Sequence, residues 1–304
     1  MTDVLLKAAA FMLVIVFGVL LKRWKVVPEE AGAIVRSIVI NLTLPCAIIV
    51  NFASVESIGS GALLLSLLGL IANVIMLGVG MAFSKNMDKY TRAMYMICVP
   101  AFNIGAFGLP FVQSFLPAEG TVYACMFDVG NSIMCTGVTF AFVSAFVGES
   151  DKGFDLKNFA HSLVTSVPLM TYVVMFALAM VGIRLPQGAL TLIEPMANAN
   201  AFLAMLMIGL LMKIRLDKEY MADIVKMLGL RHVFAVIMAV ICMVFVQDEI
   251  LRLTMLLVAF TPMSAVAPAY TGLCGGDEGK ASAANSLSIL LSVAELTLIL
   301  IVLS

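Results

Sequence analysis

The sequence predicts an all-α polytopic membrane protein, with ten transmembrane helices in two inverted five-helix repeats and interruptions in the fourth and ninth. Three observations carry this. Of 304 residues, 62% are hydrophobic and 12% charged, and the mean hydropathy is +1.09; soluble domains run near half apolar and a quarter charged. Ten apolar runs are each long enough for a hydrocarbon core about 30 Å thick. Landmarks also recur at one spacing: Pro28 and Pro186 follow the first and sixth runs 158 residues apart, and Pro110 and Pro268 close the two interruptions 158 residues apart.

Taken in order, the runs cover 4–21, 31–52, 60–83, 91–115, 120–146, 161–182, 189–212, 231–247, 250–273 and 279–303. The first ends at Lys22-Arg23 with no small-residue cleavage site before it, so it reads as a span and not a signal peptide. Most connections are short; 147–160 and 214–230 read as polar cytoplasmic loops. Lys and Arg fall fifteen on one side (22, 23, 25, 36, 85, 89, 92, 152, 157, 213, 215, 218, 226, 231, 280) and three on the other (7, 184, 252). The rich side is predicted to be cytoplasmic, in a cytoplasmic (inner) membrane with both termini outside. Glu119-Gly120 and Glu278-Gly279 open the fifth and tenth spans in related fashion. Five spans is an odd number, so the second repeat enters the membrane upside down.

The interruptions are Asn103-Ile104-Gly105-Ala106-Phe107-Gly108-Leu109-Pro110, preceded by Pro100, and Pro262-Met263-Ser264-Ala265-Val266-Ala267-Pro268. Gly and Pro leave backbone N–H and C=O groups unpaired. Hydrocarbon cannot satisfy them, so such breaks survive only inside protein or beside a polar cavity. Interrupted spans at matching places in two halves point to a transporter's binding site. Each resumed half-helix exposes N–H groups and the positive end of its dipole, which suits a carboxylate. Asn103, Ile104 and Gly105 at the first break, and Thr261, Pro262 and Ser264 at the second, are therefore candidate substrate-binding residues. Pro100, Gly108, Pro110 and Pro268 are the helix breakers.

Asn41-Leu42-Thr43-Leu44-Pro45, the Asn-Ile-Gly-x-x-Gly-Leu-Pro break, and the late Pro-Met-Ser, Gly-Asp-Glu and Ala-Ser-Ala-Ala-Asn segments resemble the auxin efflux carrier family. That family includes bacterial malonate- and malate-type carriers and the plant PIN-type auxin exporters. The resemblance runs through the whole chain, though each motif is short. It implies that helices 4 and 9 cross near mid-membrane, inside a transport domain (60–146 and 231–304) moving in elevator fashion against a scaffold domain (1–59 and 161–213). It also implies a small organic-anion substrate and a homodimer formed through the scaffold. The large cytoplasmic loop of the plant members is absent.

Asp128 and Asn131 share one face of span five, and Asp128 lies about 12 Å along that helix from Gly120. Glu295 reaches a similar depth from the same side. Carboxylates buried in a membrane are costly and mark functional positions. Asp128 is expected either to carry a coupling proton or organise the site, with Asn131 touching substrate, or to pair with Lys7 at comparable depth. Glu295 is the weaker coupling candidate. Asn41 either satisfies a backbone group freed by Pro45 or faces substrate across the domain boundary. Asn198 and Asn200 are expected to bond between helices.

Enzyme signatures fail. Gly275-Gly276-Asp277-Glu278-Gly279-Lys280 lacks the Gly and the Ser/Thr of a phosphate loop, since Cys274 and Ala281 stand there. The six cysteines have no metal spacing. Two histidines, His161 and His232, are expected at the membrane interface. The 22 methionines read as packing. No metal and no cofactor is expected beyond a coupling H+ or Na+. A net charge of −1 does not itself decide on nucleic acid, but the basic residues read as topology. The expected partners are therefore lipid and the anion, with no nucleic acid. The rivals are a sodium-coupled anion symporter of the bile-acid type and, outside transport, a ligand-binding membrane sensor or channel.

Overall fold

A computed structural model of the chain describes residues 2–55, 61–148, 156–212 and 217–303. Every predicted span is occupied by helix. The elements are α1 (Thr2–Arg23); α2 (Ala31–Ile38), continued through a π turn (Val39–Thr43) into α3 (Leu44–Ser54); α4 (Ala62–Phe83); and α5 (Lys89–Cys98). After the first break come a π turn (Ile104–Gly108) and α6 (Leu109–Phe115). Then follow α7 (Ala118–Ile133), joined by a π turn (Met134–Val138) to α8 (Thr139–Val147); α9 (Leu156–Thr165); α10 (Val167–Val181); α11 (Gln187–Leu211); and α12 (Lys218–Phe245). The second break separates α13 (Glu249–Ala259) from α14 (Ala267–Leu273), and α15 (Glu278–Leu303) ends the described chain. Among the described residues six helices, counting Ala31–Ser54 as one, are long and apolar enough to cross a membrane. The intervals at 91–115 and 250–273 are interrupted at 99–103 and 260–266, which hold Pro100, Asn103, Pro262 and Ser264. Gly108, Pro110 and Pro268, expected as the breakers, lie instead, with Gly105, in the first turns of the resumed helices.

The distribution of side chains is that of a membrane protein. Leu63, Leu64, Leu67, Leu68, Ile71, Val74 and Ile75 of α4 and Val233, Val236, Ile237, Val240 and Ile241 of α12 point outward, while Asn73, Asp128, Asn131, Asn200 and Arg231 are buried. An apolar exterior meets lipid at no cost, and the interior must then satisfy every polar group it holds. At the Lys/Arg-rich end, Asp88 caps α5 by accepting from the Tyr90 and Thr91 N–H groups. Its bond with Thr91 holds the carboxyl below the usual range.

Two helix groups stand out. α11 packs on α1, α2 and α3, and α10 packs on α3. In the other group α4 and α13 lie on α7, α12 on α13 and α15, α5 on α8, and α14 on α15. Small residues set the closest approaches, as in membrane interiors generally. A Cβ on Gly130 would collide with the Ser66 carbonyl oxygen of α4, and one on Gly69 with the Phe127 carbonyl oxygen of α7. Gly130→Ala is therefore expected to force these helices apart, lowering stability by about 1–3 kcal/mol. Gly78→Ala, on the same α4 with open space around it, is expected to be neutral or mildly stabilising. Thermal unfolding of the two variants in detergent checks the contrast; equal midpoints would refute the packing argument.

The eighth span begins earlier than hydropathy placed it. Residues 218–230, expected as loop, are helical, with Ile224, Met227 and Leu228 buried. The segment Lys218-Glu219-Tyr220-Met221-Ala222-Asp223 is rich in helix formers but too polar for a hydropathy window. Arg231 and His232 consequently lie mid-helix and not beside a loop, and Arg231 is buried, so it no longer counts as a topology residue. The charge asymmetry becomes fourteen against three; of those residues Lys152, Lys213 and Arg215 lie outside the described segments.

Candidate functional site

The two breaks meet. Phe102 and Met263 form an antiparallel bridge, and the Asn103 N–H donates to the Pro262 carbonyl (2.9 Å). Two short extended segments thus satisfy part of each other's exposed backbone where neither helix can. The conformation is demanding: Ala101 sits at φ 67°, a left-handed position uncommon for a residue with a Cβ.

Side chains from flanking helices hold the rest of the first break. Asn73 of α4 accepts from the Ala101 N–H (2.7 Å) and donates to the Gly69 carbonyl (2.8 Å). Asn131 of α7 clamps Phe102 on both sides, accepting from its N–H and donating to its carbonyl, each at 2.9 Å. Arg231 of α12 closes the cradle. Its Nη1 donates to the Val99 (2.8 Å), Pro100 (3.1 Å) and Ala101 (3.0 Å) carbonyls, and its Nη2 donates to the Thr261 carbonyl of the second break (3.1 Å). One guanidinium therefore ties both breaks together, a task for which its planar fork is suited. At the second break the Met263 N–H donates to Ser288 of α15 (3.3 Å). The Thr261 hydroxyl donates to the Val258 carbonyl, and Ser264 is buried.

Asp128 belongs to the same network. It accepts from Asn131 Nδ2 (2.7 Å) and from the Tyr172 hydroxyl of α10 (3.0 Å). Tyr172 belongs to the first helix group and Asp128 to the second, so this bond crosses between groups. Gly105 lies against it: an added Cβ would stand 3.4 Å from Asp128 Oδ2 and 3.6 Å from the Tyr172 hydroxyl. Gly108 lets the Thr261 methyl pack against the first resumed helix. Ile104 is buried. Pro110 and Pro268 occupy the first turns of α6 and α14, where a missing N–H is harmless.

Beside the crossing is a cavity of about 180 Å³. Arg36, Met207, Ile208, Leu211 and Met212 line it from the first group, and Asn103, Ala265, Pro268, Ala269, Glu278, Ser282, Asn285, Ser286 and Ile289 from the second. No ion pair of Arg36 is formed among the described residues, and Asn285 Oδ1 is buried without a partner there. Arg36, Met212 and Glu278 lie at helix ends on the Lys/Arg-rich side. Elsewhere between the groups, Asn200 of α11 accepts from the Thr43 hydroxyl (3.1 Å) and donates to Gln113 of α6 (3.2 Å).

Of the residues that the sequence proposed for substrate, Asn103 reaches the cavity wall directly, and Pro268 does so among the helix breakers. Asn131, Gly105, Thr261, Pro262 and Ser264 build the crossing behind it. Asn41 is exposed and donates to Ser37 one turn back (2.9 Å); it is not part of the cavity wall. Lys7 does not pair with Asp128: its ammonium donates to the Ser114 carbonyl at the end of α6 (3.1 Å) and lies over Phe115. Similar depth along two helices does not bring side chains together when α6 stands between. Glu295 pairs with His232 (2.6 Å). Sequence reasoning missed Asn73, Arg231, Tyr172 and Arg36. The first two had a signal: they are polar, mid-span and 158 residues apart, the repeat spacing itself.

A known family and a known protein are similar in sequence to this chain. Residues 4–150 match the family model described as membrane transport protein. An uncharacterized transporter of Methanothermobacter thermautotrophicus is 23% identical over 232 residues, covering 75% of this chain and 74% of that protein.

Proposed function

We propose, from the match of residues 4–150 to the family model described as membrane transport protein, that the chain is a secondary transporter of a small organic anion, with substrate bound where the broken helices cross. One observation carries the reading: the crossing presents Asn103 to a cavity that Arg36 enters from the opposite helix group. Arg36 forms no ion pair among the described residues, although Glu278 lines the same cavity, and a guanidinium with an amide at a helix break suits a carboxylate. The volume is below the roughly 300–1,000 Å³ of drug-sized sites, which favours a small acid of the malonate or malate kind.

The cavity lies between the helix groups, so α1–α3 with α9–α11 is the scaffold and α4–α8 with α12–α15 the moving part. Sliding of one past the other would carry the cavity between the two sides, and breaking the Tyr172–Asp128 and Asn200–Gln113 bonds would accompany that step. Arg36, Met212 and Glu278 set the cavity near the Lys/Arg-rich end, which in this reading is an inward-facing state. Sodium coupling at the crossing is disfavoured, because the carbonyls that a cation would use already receive Arg231.

Counterflow in proteoliposomes tests the proposal: preloaded malonate should accelerate uptake of labelled malonate, whereas a channel or sensor gives no trans-stimulation. Absence of exchange across a panel of mono- and dicarboxylates would defeat the reading. Arg36→Gln is expected to weaken apparent carboxylate affinity by roughly tenfold, matching a charge-assisted bond of about 1.5–3 kcal/mol in part. An unchanged concentration dependence would remove Arg36 from the site.

A further inference from the structure

A second, smaller cavity touches the crossing from another side. Its walls include Leu228, Arg231 and His232 of α12, Pro262 of the second break, and Ser292 and Glu295 of α15, and its volume is about 10 Å³, at the lower bound for one water. Both ring nitrogens of His232 are engaged. Nδ1 lies 2.6 Å from the Leu228 carbonyl, and Nε2 lies 2.6 Å from Glu295 Oε1. A carbonyl can only accept, so Nδ1 must carry a proton. Nε2 and a carboxylate oxygen at 2.6 Å then require a second proton between them. Without it two lone pairs would face each other, and α12 and α15 would have to separate at this point.

We propose that His232 and Glu295 form a proton-binding site, shown here loaded, which takes up one proton when an anion occupies the larger cavity. This rests on the anion reading above. With Arg231 always charged, the cluster carries +1 when loaded and 0 when the proton leaves to water. The two cavities share the crossing: Asn103 lines one, Pro262 lines the other, and the Asn103 N–H donates to the Pro262 carbonyl. An anion beside Asn103 favours the +1 form by Coulomb attraction, and linkage makes the effect reciprocal.

Few other charges compete. α4 carries no charged residue. α13 has Glu249 and Arg252 in its first turn, Arg252 donating to the Val246 carbonyl. α1 has Asp3, Lys7, Lys22 and Arg23 toward its ends, Lys7 and Lys22 donating to the Ser114 and Met212 carbonyls. α14 offers only Tyr270. On α15 itself Glu278 and Lys280 sit at the opposite end, Lys280 paired with Asp223 of α12 (2.7 Å).

Purified protein in weakly buffered detergent with a pH dye provides the test, with malonate as probe and thermal shift as the separate measure of binding. The expected result is uptake of about one proton per malonate bound, with Glu295→Gln and His232→Gln still stabilised by malonate but taking up none. Stabilisation of the wild type without proton uptake would overturn the proton site and leave the anion proposal standing. If no carboxylate stabilises the protein, the anion proposal fails, and imidazole NMR decides the site alone. The chain has two histidines, so His161→Gln leaves a single signal. An imidazole that exchanges a proton between about pH 5 and 8 supports the site, and one that keeps the same protonation throughout overturns it.

Discussion

Arg231→Met is expected to be the most damaging single substitution in the chain. It would remove four hydrogen bonds and leave the carbonyls of Val99, Pro100, Ala101 and Thr261 facing a thioether. Bonds to a charged donor contribute about 1.5–3 kcal/mol each, and neighbouring losses are not additive, so a loss of roughly 4 kcal/mol or more is the working figure. Water cannot easily replace the guanidinium at a buried crossing inside the bilayer. Arg231→Lys keeps the charge but places three donors around one point and cannot span both breaks as the fork does; an intermediate loss is expected. Five of the six cysteines are buried, so a thiol-reactive dye reports the unfolding midpoint of each variant. Midpoints within experimental error of the wild type would show that the cradle does not depend on Arg231.

The same residue bears on coupling. Carbonyls converging from two broken helices are what a sodium ion uses in transporters of this general build, and here a side chain of the protein meets them. The midpoint of the wild type is accordingly expected to be equal in sodium chloride and choline chloride at matched ionic strength. Specific stabilisation by sodium would return the bile-acid-type symport reading to first place.

What could be read from the sequence followed from local chemistry. Gly105, Gly108, Pro110 and Pro262 cluster where a helical ladder is weakest, so both interruptions were legible to within a turn, and the 158-residue spacing paired them. Asp128 and Asn131 share a face by helix geometry alone. Their partners were less visible, because Tyr172 lies 44 residues from Asp128 and meets it only through the packing of α10 near α7. Arg231 was hidden for a different reason. Hydropathy placed a loop over 214–230, and a cation beside a loop reads as topology. The spacing from Asn73 was the available clue, since equivalent positions in two inverted repeats approach the same crossing. Lys7 shows the opposite error, in which equal depth suggested a pairing that the intervening α6 prevents.

Asp128→Asn distinguishes the two roles open to that carboxylate. Asp128 accepts from Asn131 and from Tyr172 at once, and an amide has only one oxygen. Whichever way Asn at 128 turns, one buried donor, the Tyr172 O–H or an Asn131 N–H, loses its acceptor, at about 1–3 kcal/mol. If Asp128 organises the crossing and the His232–Glu295 pair carries the proton, exchange should slow by roughly tenfold or more while its pH dependence persists. Loss of the pH dependence would move the proton to Asp128. Tyr172→Phe removes the cross-group bond and leaves the Asn131 clamp on Phe102 intact. It should therefore alter the exchange rate, at a cost to unfolding no greater than the one buried bond it removes, about 1–3 kcal/mol. In the double variant the effect on exchange is expected to be smaller than the sum of the two, by about 0.5–3 kcal/mol of coupling. Simple additivity would mean that Tyr172 and Asp128 act independently, and the boundary between the helix groups would then need another latch, for which Asn200 and Gln113 are the next pair to cut.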